Sequence, residues 1–558
     1  MKQDSKNLFK KKGTFQVPFF YNKAMKKIII FIFAILILSC SSQDSLDVNS
    51  ANGQGILLLD NGTEPQGLDP HIVTGVTEHK IVIALFEGLT MQNPLGEGVI
   101  PAAAESWEIS NDGLEIIFNL RPDAKWSNGD PLTAQDFVYS WRRILTPALG
   151  SRYPDMLYAV KNAEQFNKSE IKDFELVGVK AIDSKTLKVN LKTKTPFFLK
   201  QLAHYATYPV HPATIEDFGG ISNRDSRWTR PENIISNGPF ILDEWSINKV
   251  IKVKRNINYW GKDNLKLNGI HFFPIDNEST SDRYYRSGKT HNLYTIQTEK
   301  IAKYKEDFPD QFKLEKYFGT YYYRINTKIE PLNDINVRKA LSLAIDRKLI
   351  VDKVTKGGQK PAYSFTPPSE DYYDPPTKLD FNPELAREYL TKAGYPNGKD
   401  FPEFELLYNT NEGHQKIAQA IQQFWLKELG IKITLTNVDW KVYLDRESQG
   451  QYQISRAGWI GDYVDPNSFL DMMVTDRGNN KTGWSNIEYD SYIKKATFAN
   501  NESDRLKNFS KAEEILMEEL PIIPIYTYTR VYMLRNEVKG WYPNMLDTHP
   551  YQFISLED

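Results

Sequence analysis

Arg456-Ala-Gly-Trp-Ile-Gly-Asp462 sets a permanent cation and an acid six positions apart on a short apolar run broken by two glycines. In an extended chain alternate side chains share a face, so Arg456, Gly458, Ile460 and Asp462 would point the same way, with the charges about 20 Å apart. A free peptide of about three to five residues spans roughly 10 to 18 Å between its own charged ends. The run therefore suits a grip on a zwitterion of that length, and Gly458 and Gly461 would let a second backbone come close. The same residues also suit a β-bulge beside a surface ion pair, and the segment alone leaves both readings open.

Elements that could position this run are legible on both sides of it. Residues 114 to 120 alternate as a strand, Asn128-Gly129 marks a turn, and Thr133-Ala-Gln-Asp136 forms a capping box that opens a helix through Ile144. Residues 177 to 182 and 186 to 191 read as a hairpin around Asp183-Ser-Lys185. Further on, Asp334 caps a helix with Val337, Leu341, Ala344 and Ile345 on one face. Asn382-Pro383 starts a helix that Gly394 stops. Residues 414 to 429 form another, ended by Gly430 and followed by a strand at 431 to 435. Ser510-Lys-Ala-Glu513 is expected to cap a fourth, which gives way at Pro521 to a strand over 522 to 528. Helix followed by strand recurs through the C-terminal half, predicting an α/β lobe with a mostly parallel sheet, while residues 77 to 199 are richer in hairpins.

A chain of 558 residues is too long for one ordinary domain and carries enough apolar and aromatic material for two or three cores. A net charge of -2 gives no electrostatic reason to expect a nucleic-acid partner. Near the N-terminus, Lys26 and Lys27 precede an apolar run over 28 to 38, then Ser39 and Cys40, the only cysteine. The run is short for a membrane span and suits an export signal. Residues 1 to 24 do not fit such a signal, which makes Met25 an alternative start. Cys40 resembles the lipid-acceptor position of bacterial lipoproteins, with Ile37-Leu-Ser39 as a loose cleavage box. Residues 40 to 54 then read as a polar tether, and the body is expected outside the cytoplasm on a membrane, through acyl chains on Cys40.

Enzyme signatures are missing. The chain has no H-E-x-x-H helix, no G-x-S-x-G elbow and no second cysteine for a redox pair. Gly288-Lys-Thr290 mimics the end of a phosphate loop, but Arg283 stands where the first glycine belongs. Eight histidines spread along the chain do not indicate a metal site, and no cofactor is expected.

A series of phrases, taken in order, resembles the extracytoplasmic solute-binding proteins of oligopeptide ABC importers: Glu64-Pro-Gln-Gly-Leu-Asp69-Pro-His71, Phe86-Glu-Gly-Leu89, Ala104-Glu-Ser-Trp107, Asp123-Ala-Lys-Trp126-Ser-Asn-Gly129 with Phe137-Val-Tyr-Ser-Trp141, Ser236-Asn-Gly-Pro-Phe240, Arg283-Tyr-Tyr-Arg-Ser-Gly288, Tyr321-Tyr-Tyr-Arg-Ile-Asn326, and the run from Arg456 to Asp462. The resemblance implies an α/β, periplasmic-binding-protein-like fold with two jaws, built from three discontinuous lobes around a cleft. Lobe I would comprise 55–76, 200–302 and 531–558, lobe II 77–199 and lobe III 303–530, with 1–39 as extension and signal. It implies a monomeric receptor that passes short peptides to a permease. The ligand would lie as an added strand between Glu64 to Gln66 and Gly458 to Asp462, its amine on Asp462. Arg456 and His414 would meet its carboxylate at different ligand lengths, Trp459, Tyr139 and Tyr528 would line the groove, and Asn237 would sit at a turn near it.

Departures from the family pattern put specificity in doubt. Pro65 lacks the N–H a ladder would use. Glu447 stands where an arginine would help with the carboxylate, Arg446 is shifted by one, and Lys328 is displaced from the expected lysine next to Ile329. Lys289-Thr-His291 replaces an acidic pair. A dipeptide, nickel or oligosaccharide receptor, or a surface adhesin on the same scaffold, are the alternatives.

Overall fold

The stretch expected to be a tether is helical in its second part. Asp47 accepts the Ser50 N–H at 2.8 Å and so starts a helix over Val48–Gln54, which Gly55 ends in the left-handed region at φ 66°. Val48 and Ala51 are buried, and the Val48 N–H donates to the Gly288 carbonyl at 2.8 Å, so this segment is packed down. The computed structural model describes residues 46–558 apart from Glu97, Asp225, Ser226, Glu370, Asp371, 377–379, Asn500 and Asp558. Cys40, the apolar run at 28 to 38 and the start of the tether lie outside the described residues. Asp47–Asp558 makes up one structural unit.

The chain enters through β1 (Ile56–Asp60) and α1 (Val76–Leu85). An antiparallel sheet follows, formed by β2 (Ala104–Ile109), β3 (Glu115–Leu120), β4 (Val179–Ala181) and β5 (Thr186–Asn190) in the order β2-β3-β5-β4. Ile116, Phe118 and Leu120 alternate into its core, and the capping box at Thr133 and Asp136 opens α2 (Ala134–Leu145) beside it. The chain then returns to the first region as β6 (Phe240–Ser246), β7 (Val250–Arg255) and β8 (Gly269–Phe273), where β8 pairs in parallel with β1 and antiparallel with β7.

The remaining sheet holds the site. Its long strands are β9 (Phe312–Ile325), β10 (Phe404–Asn409), β11 (Ile433–Val438), β12 (Ile454–Ile460) and β13 (Ile522–Leu534), in the order β13-β9-β12-β10-β11. Short strands Asn292–Leu293 and Lys360–Pro361 add to β13. Helices α3 (Ile335–Leu343), α4 (Pro383–Lys392) and α5 (Glu412–Leu429) cover one face, with Leu341, Leu390, Trp425 and Ile454 in a common core. Then come α6 (Trp440–Ser448) and α7 (Glu502–Glu519), the latter on the opposite face with Phe318, Tyr322 and Phe509.

Two expectations are corrected. The sheet is mixed rather than mostly parallel: β10, β11 and β12 run together, joined through α5 and α6, but β9 and β13 pair antiparallel. Helix–strand alternation signals parallel neighbours only where consecutive strands also lie side by side, and β9 and β13 do not follow their neighbours in sequence. The last helix starts at Asn501, whose side chain accepts the Asp504 N–H at 2.8 Å, so Ser510 lies inside it. Glu513, expected in a capping box, is buried and accepts from the backbone N–H groups of Phe365 and Thr366 and from the Tyr373 hydroxyl.

Candidate ligand-binding site

Strand β12 is covered unequally. On one side it pairs with β9 throughout, from Gly319 opposite Ile460 to Ile325 opposite Ile454. On the other, β10 reaches only Ile454 and Ser455, so among the described residues Arg456–Ile460 has a strand on one side alone. The alternation of an antiparallel strand decides which groups face the open side. Gly461 N–H donates toward β9, to the Phe318 carbonyl at 2.8 Å, while the Arg456 carbonyl accepts from the Tyr443 hydroxyl on the other side. Gly458 and Ile460 therefore turn both N–H and C=O to the open edge. That edge lines a cavity of about 450 Å³ together with the full run from Arg456 to Asp462, a volume in the usual range for ligand sites. A side chain at 458 would crowd it, since a Cβ there would lie 2.5 Å from the Tyr528 hydroxyl oxygen.

At one end of the edge stands Arg456. Its Nη2 donates to the Tyr528 hydroxyl at 2.8 Å and its Nη1 to Asn409 Oδ1 at 3.4 Å, while the guanidinium lies 4.8 Å from the Tyr321 ring. No carboxylate pairs with it among the described residues, and its Nε–H is buried without an acceptor. Asn411, which caps α5, and His414 in the first turn line the same end. Burial, then the nearby Arg456 charge, hold the His414 imidazole well below its ordinary value, so it is neutral near pH 7. His414 therefore stands beside Arg456 as a neutral imidazole rather than a second cation.

At the other end the Asp462 side chain keeps 10 % of its surface, and its Oδ1 lies 3.3 Å from His204 Nε2. His204 Nδ1 accepts the Ala206 N–H at 3.3 Å, which leaves Nε2 turned toward Asp462. The Asp462 N–H donates to Ser468 Oγ at 2.7 Å, fixing the turn after β12, and the Tyr153 ring packs 4.9 Å from His204. Trp459 lines the cavity between the two ends with its indole N–H tied to the Ser468 carbonyl at 2.7 Å, and Ile460 and Tyr528 also face it.

Four expected residues are placed elsewhere. The Glu64 carboxylate accepts from the Trp245 indole at 2.7 Å and from the Asn248 N–H, and the Gln66 N–H is taken by Glu78 at 2.6 Å. With Pro65 lacking an N–H, this segment has little ladder to offer, and Gly62, Thr63 and residues 74–77 line the cavity instead. Tyr139 donates to Glu216 at 2.6 Å, away from the cavity. Asn237 is buried and holds both backbone groups of Glu87, which is turn chemistry.

The departures also resolve physically. Arg324 ion-pairs with Glu447, and Lys481 lies 3.4 Å away; burial alone would raise this carboxyl, but the two cations hold it at about 2. Arg446 pairs with Glu405, and Lys328 packs against Gly483. His291 is buried, its Nδ1 accepting the Leu58 N–H at 2.9 Å, and neither it nor Lys289 lines the cavity. Sequence reasoning missed His204, Tyr153 and Asn411. Only Asn411 carried a signal, as an N-cap residue three positions before His414. Among the described residues no group of three or more His, Cys, Asp or Glu is placed to hold a metal ion.

The family profile described as "Bacterial extracellular solute-binding proteins, family 5 Middle" matches residues 98–481. The periplasmic oligopeptide-binding protein OppA of Escherichia coli K12 is 38% identical over 498 residues, covering 87% of this chain and 89% of that protein. The chain belongs to the bacterial extracellular solute-binding proteins, family 5. Within this family, the structure of Haemophilus influenzae OppA in complex with RPPGFSPFR superposes with a TM-score of 0.86 at 33% identity, covering 90% of this chain and 99% of that one. The Escherichia coli murein tripeptide-binding protein MppA gives 0.85 in one structure and 0.61 in its unliganded open form, both at 35% identity and 90% of this chain, with 97% of the open chain covered. Solute binding, rather than catalysis, is the chemistry of this family.

Proposed function

We propose that this solute-binding protein captures short peptides by main chain and termini and delivers them to an ABC permease. The half-covered strand β12 is the observation that carries the reading, because its open edge runs from a permanent cation to an acid. A peptide laid antiparallel along Arg456–Ile460 would exchange main-chain hydrogen bonds with Gly458 and Ile460. Its carboxylate would meet Arg456, with His414 and the α5 N-terminus beside it, and its amine would meet Asp462. Such contacts are common to all peptides, which gives breadth of sequence. The names of the oligopeptide-binding relatives support the same ligand class.

Binding would close the jaws by hinge motion at the crossings near 302 and 530, with lobe I built from 55–76, 200–302 and 531–558, lobe II from 77–199 and lobe III from 303–530. The fall in TM-score against the open form of MppA supports a closed arrangement here. The receptor would act as a monomer outside the cytoplasm, held to a membrane by lipid on Cys40. Native mass spectrometry of freshly purified protein tests the ligand class: released masses should resolve into short peptides. A cleft that is empty and ignores a library of free tri- to pentapeptides would sink the reading.

A further inference from the structure

Beside the open edge the cavity has a second chemistry, centred on Arg530 in β13. Its Nε donates to Asp547 Oδ2 at 2.8 Å and its Nη1 to the Tyr294 carbonyl at 2.7 Å. Nη2 has no acceptor among the described residues, and it is not sealed in the core, so this edge of the guanidinium looks into the cavity. The bay around it is closed by Tyr294, Tyr317 and Thr548.

Charge accounting favours an anion there. Asp547 is the neighbouring acid, but it is only 4 % exposed, and both its oxygens are taken, one by Arg530 and one by His549 Nε2 at 3.1 Å. The pair is thus a dipole whose positive end faces the cavity. Burial lowers the imidazoles of His79 and His549 and raises the carboxyls of Asp60 and Glu315. Asp60 accepts from Ser281 and from the Gly62 and Tyr294 N–H groups, Glu315 from the Tyr532 hydroxyl, and neither lies within ion-pair distance of Arg530. Lys80 adds positive character from behind, its Nζ 3.5 Å from the centre of the Tyr294 ring, whose centre also lies 4.3 Å from the Arg530 guanidinium. Among the described residues Lys80 has no carboxylate within ion-pair distance, and burial pulls it down to about 7.

The bay lies toward the Asp462 end. Thr548 Oγ1 is 3.3 Å from His79 Nε2, the His79 ring is 6.4 Å from His204, and His204 contacts Asp462. Tyr317 adjoins Phe318, whose carbonyl takes the Gly461 N–H.

Resting on the peptide reading above, we propose that this bay is a side-chain subsite that selects an acidic residue in the amine-proximal part of the ligand, with Arg530 Nη2 as the donor. A carboxylate completes the guanidinium's hydrogen bonding, whereas a lysine side chain would meet a like charge in a poorly hydrated space.

Titration calorimetry with tetra-alanine and with peptides carrying Glu, Gln or Lys at each of the first three positions tests this. Wild-type protein should favour Glu over Lys about tenfold at one of these positions, roughly 1.4 kcal/mol. Both Arg530→Gln and the charge-free Arg530→Gln/Asp547→Asn should bring that ratio to within about twofold. The double variant leaves no unpaired buried acid, and because the readout is a ratio, a uniform loss of affinity cancels. A Glu-to-Lys ratio unchanged in the double variant, or no preference in the wild type, overturns the proposal while leaving peptide binding intact. Failure of tetra-alanine and all its variants to bind overturns the peptide reading, and this proposal with it.

Discussion

The two ends of the cavity carry opposite charges, and they are also built on different plans. Arg456, Tyr528, Asn409 and His414 all come from one sheet and the helix packed on it, so the residues that hold the cation at this end share one framework. The Asp462 end is made across the chain: its acid follows β12, but its partners His204 and Tyr153 come from segments some 250 and 300 residues earlier. Each end keeps a polar atom with no partner among the described residues, Arg456 Nε at one and Asp462 Oδ2 at the other. The difference is that among the described residues Arg456 contacts only uncharged groups, whereas Asp462 already has the His204 imidazole 3.3 Å away. An end framed by a single sheet can be ready before a ligand arrives, while an end made of distant segments depends on their approach.

Asp462→Asn is the strongest way to break this comparison, because it removes charge while keeping shape and an oxygen for His204. Free-amine peptides should bind about 2 to 5 kcal/mol more weakly, the usual cost of losing one partner of a desolvated charge pair. N-acetylated versions of the same peptides should change little. Titration calorimetry on matched pairs decides it, and equal losses for both would show that Asp462 does not read the amine.

Next in size is Arg456→Gln, read with peptides ending in a free carboxylate and with their amides. A hydrogen bond to a charged group contributes about 1.5 to 3 kcal/mol, so the carboxylate series should lose about that much and the amides much less. If His414 were the main receiver, the loss would be small and would appear in His414→Gln instead. That outcome would make the two ends alike, each resting on a histidine.

The contrast also explains what could be read from residues alone. Arg456, Gly458 and Ile460 alternate along β12, Trp459 lies between them and Asp462 two residues past its end, so local extended geometry was enough to bring them to one place. The capping box at Thr133 and the glycine stop at Gly430 are equally local, and both stand in the structure. Glu64, Gln66, Tyr139 and Asn237 depended on long-range placement, and each spends its polar groups inside the scaffold: on the β6–β7 hairpin, on Glu78, on Glu216 and on the Glu87 backbone. His204 could not be found because no periodicity links it to Asp462, only a contact between separate segments. The mixed sheet was misjudged for the same reason, since strand order is a long-range property.

His414 gives a smaller test, one of stability rather than binding. Burial and Arg456 depress its folded-state value, whereas in the unfolded chain it titrates near the ordinary value of about 6.5. Its neutral form therefore supports folding fully above that value, and the support is lost as pH falls below it toward the folded value. Between pH 7.5 and 5.5 the wild type should lose at most about 1.4 kcal/mol more stability than His414→Gln, measured by urea unfolding without ligand. The half-buried position at the cavity makes this an upper bound. Identical pH slopes would mean that water reaches the imidazole freely, and that this end is less dry than its packing implies.

His204→Asn should have the smallest effect on binding, and its sign carries the information. Asp462 Oδ1 faces His204, and among the described residues Oδ2 has no partner, so an incoming ammonium can take Oδ2 while His204 stays beside Oδ1. His204 then acts as a positioning residue. Its loss leaves the acid less well held and should weaken free-amine peptides by about threefold, under 1 kcal/mol. N-acetylated peptides should bind as before, which separates this role from general damage to the jaw contact. Tighter binding of free-amine peptides would instead mean that His204 occupies the place of the ligand's amine and is displaced by it. In that case the Asp462 end would be closed by its own chain until a ligand competes, while the Arg456 end stands open.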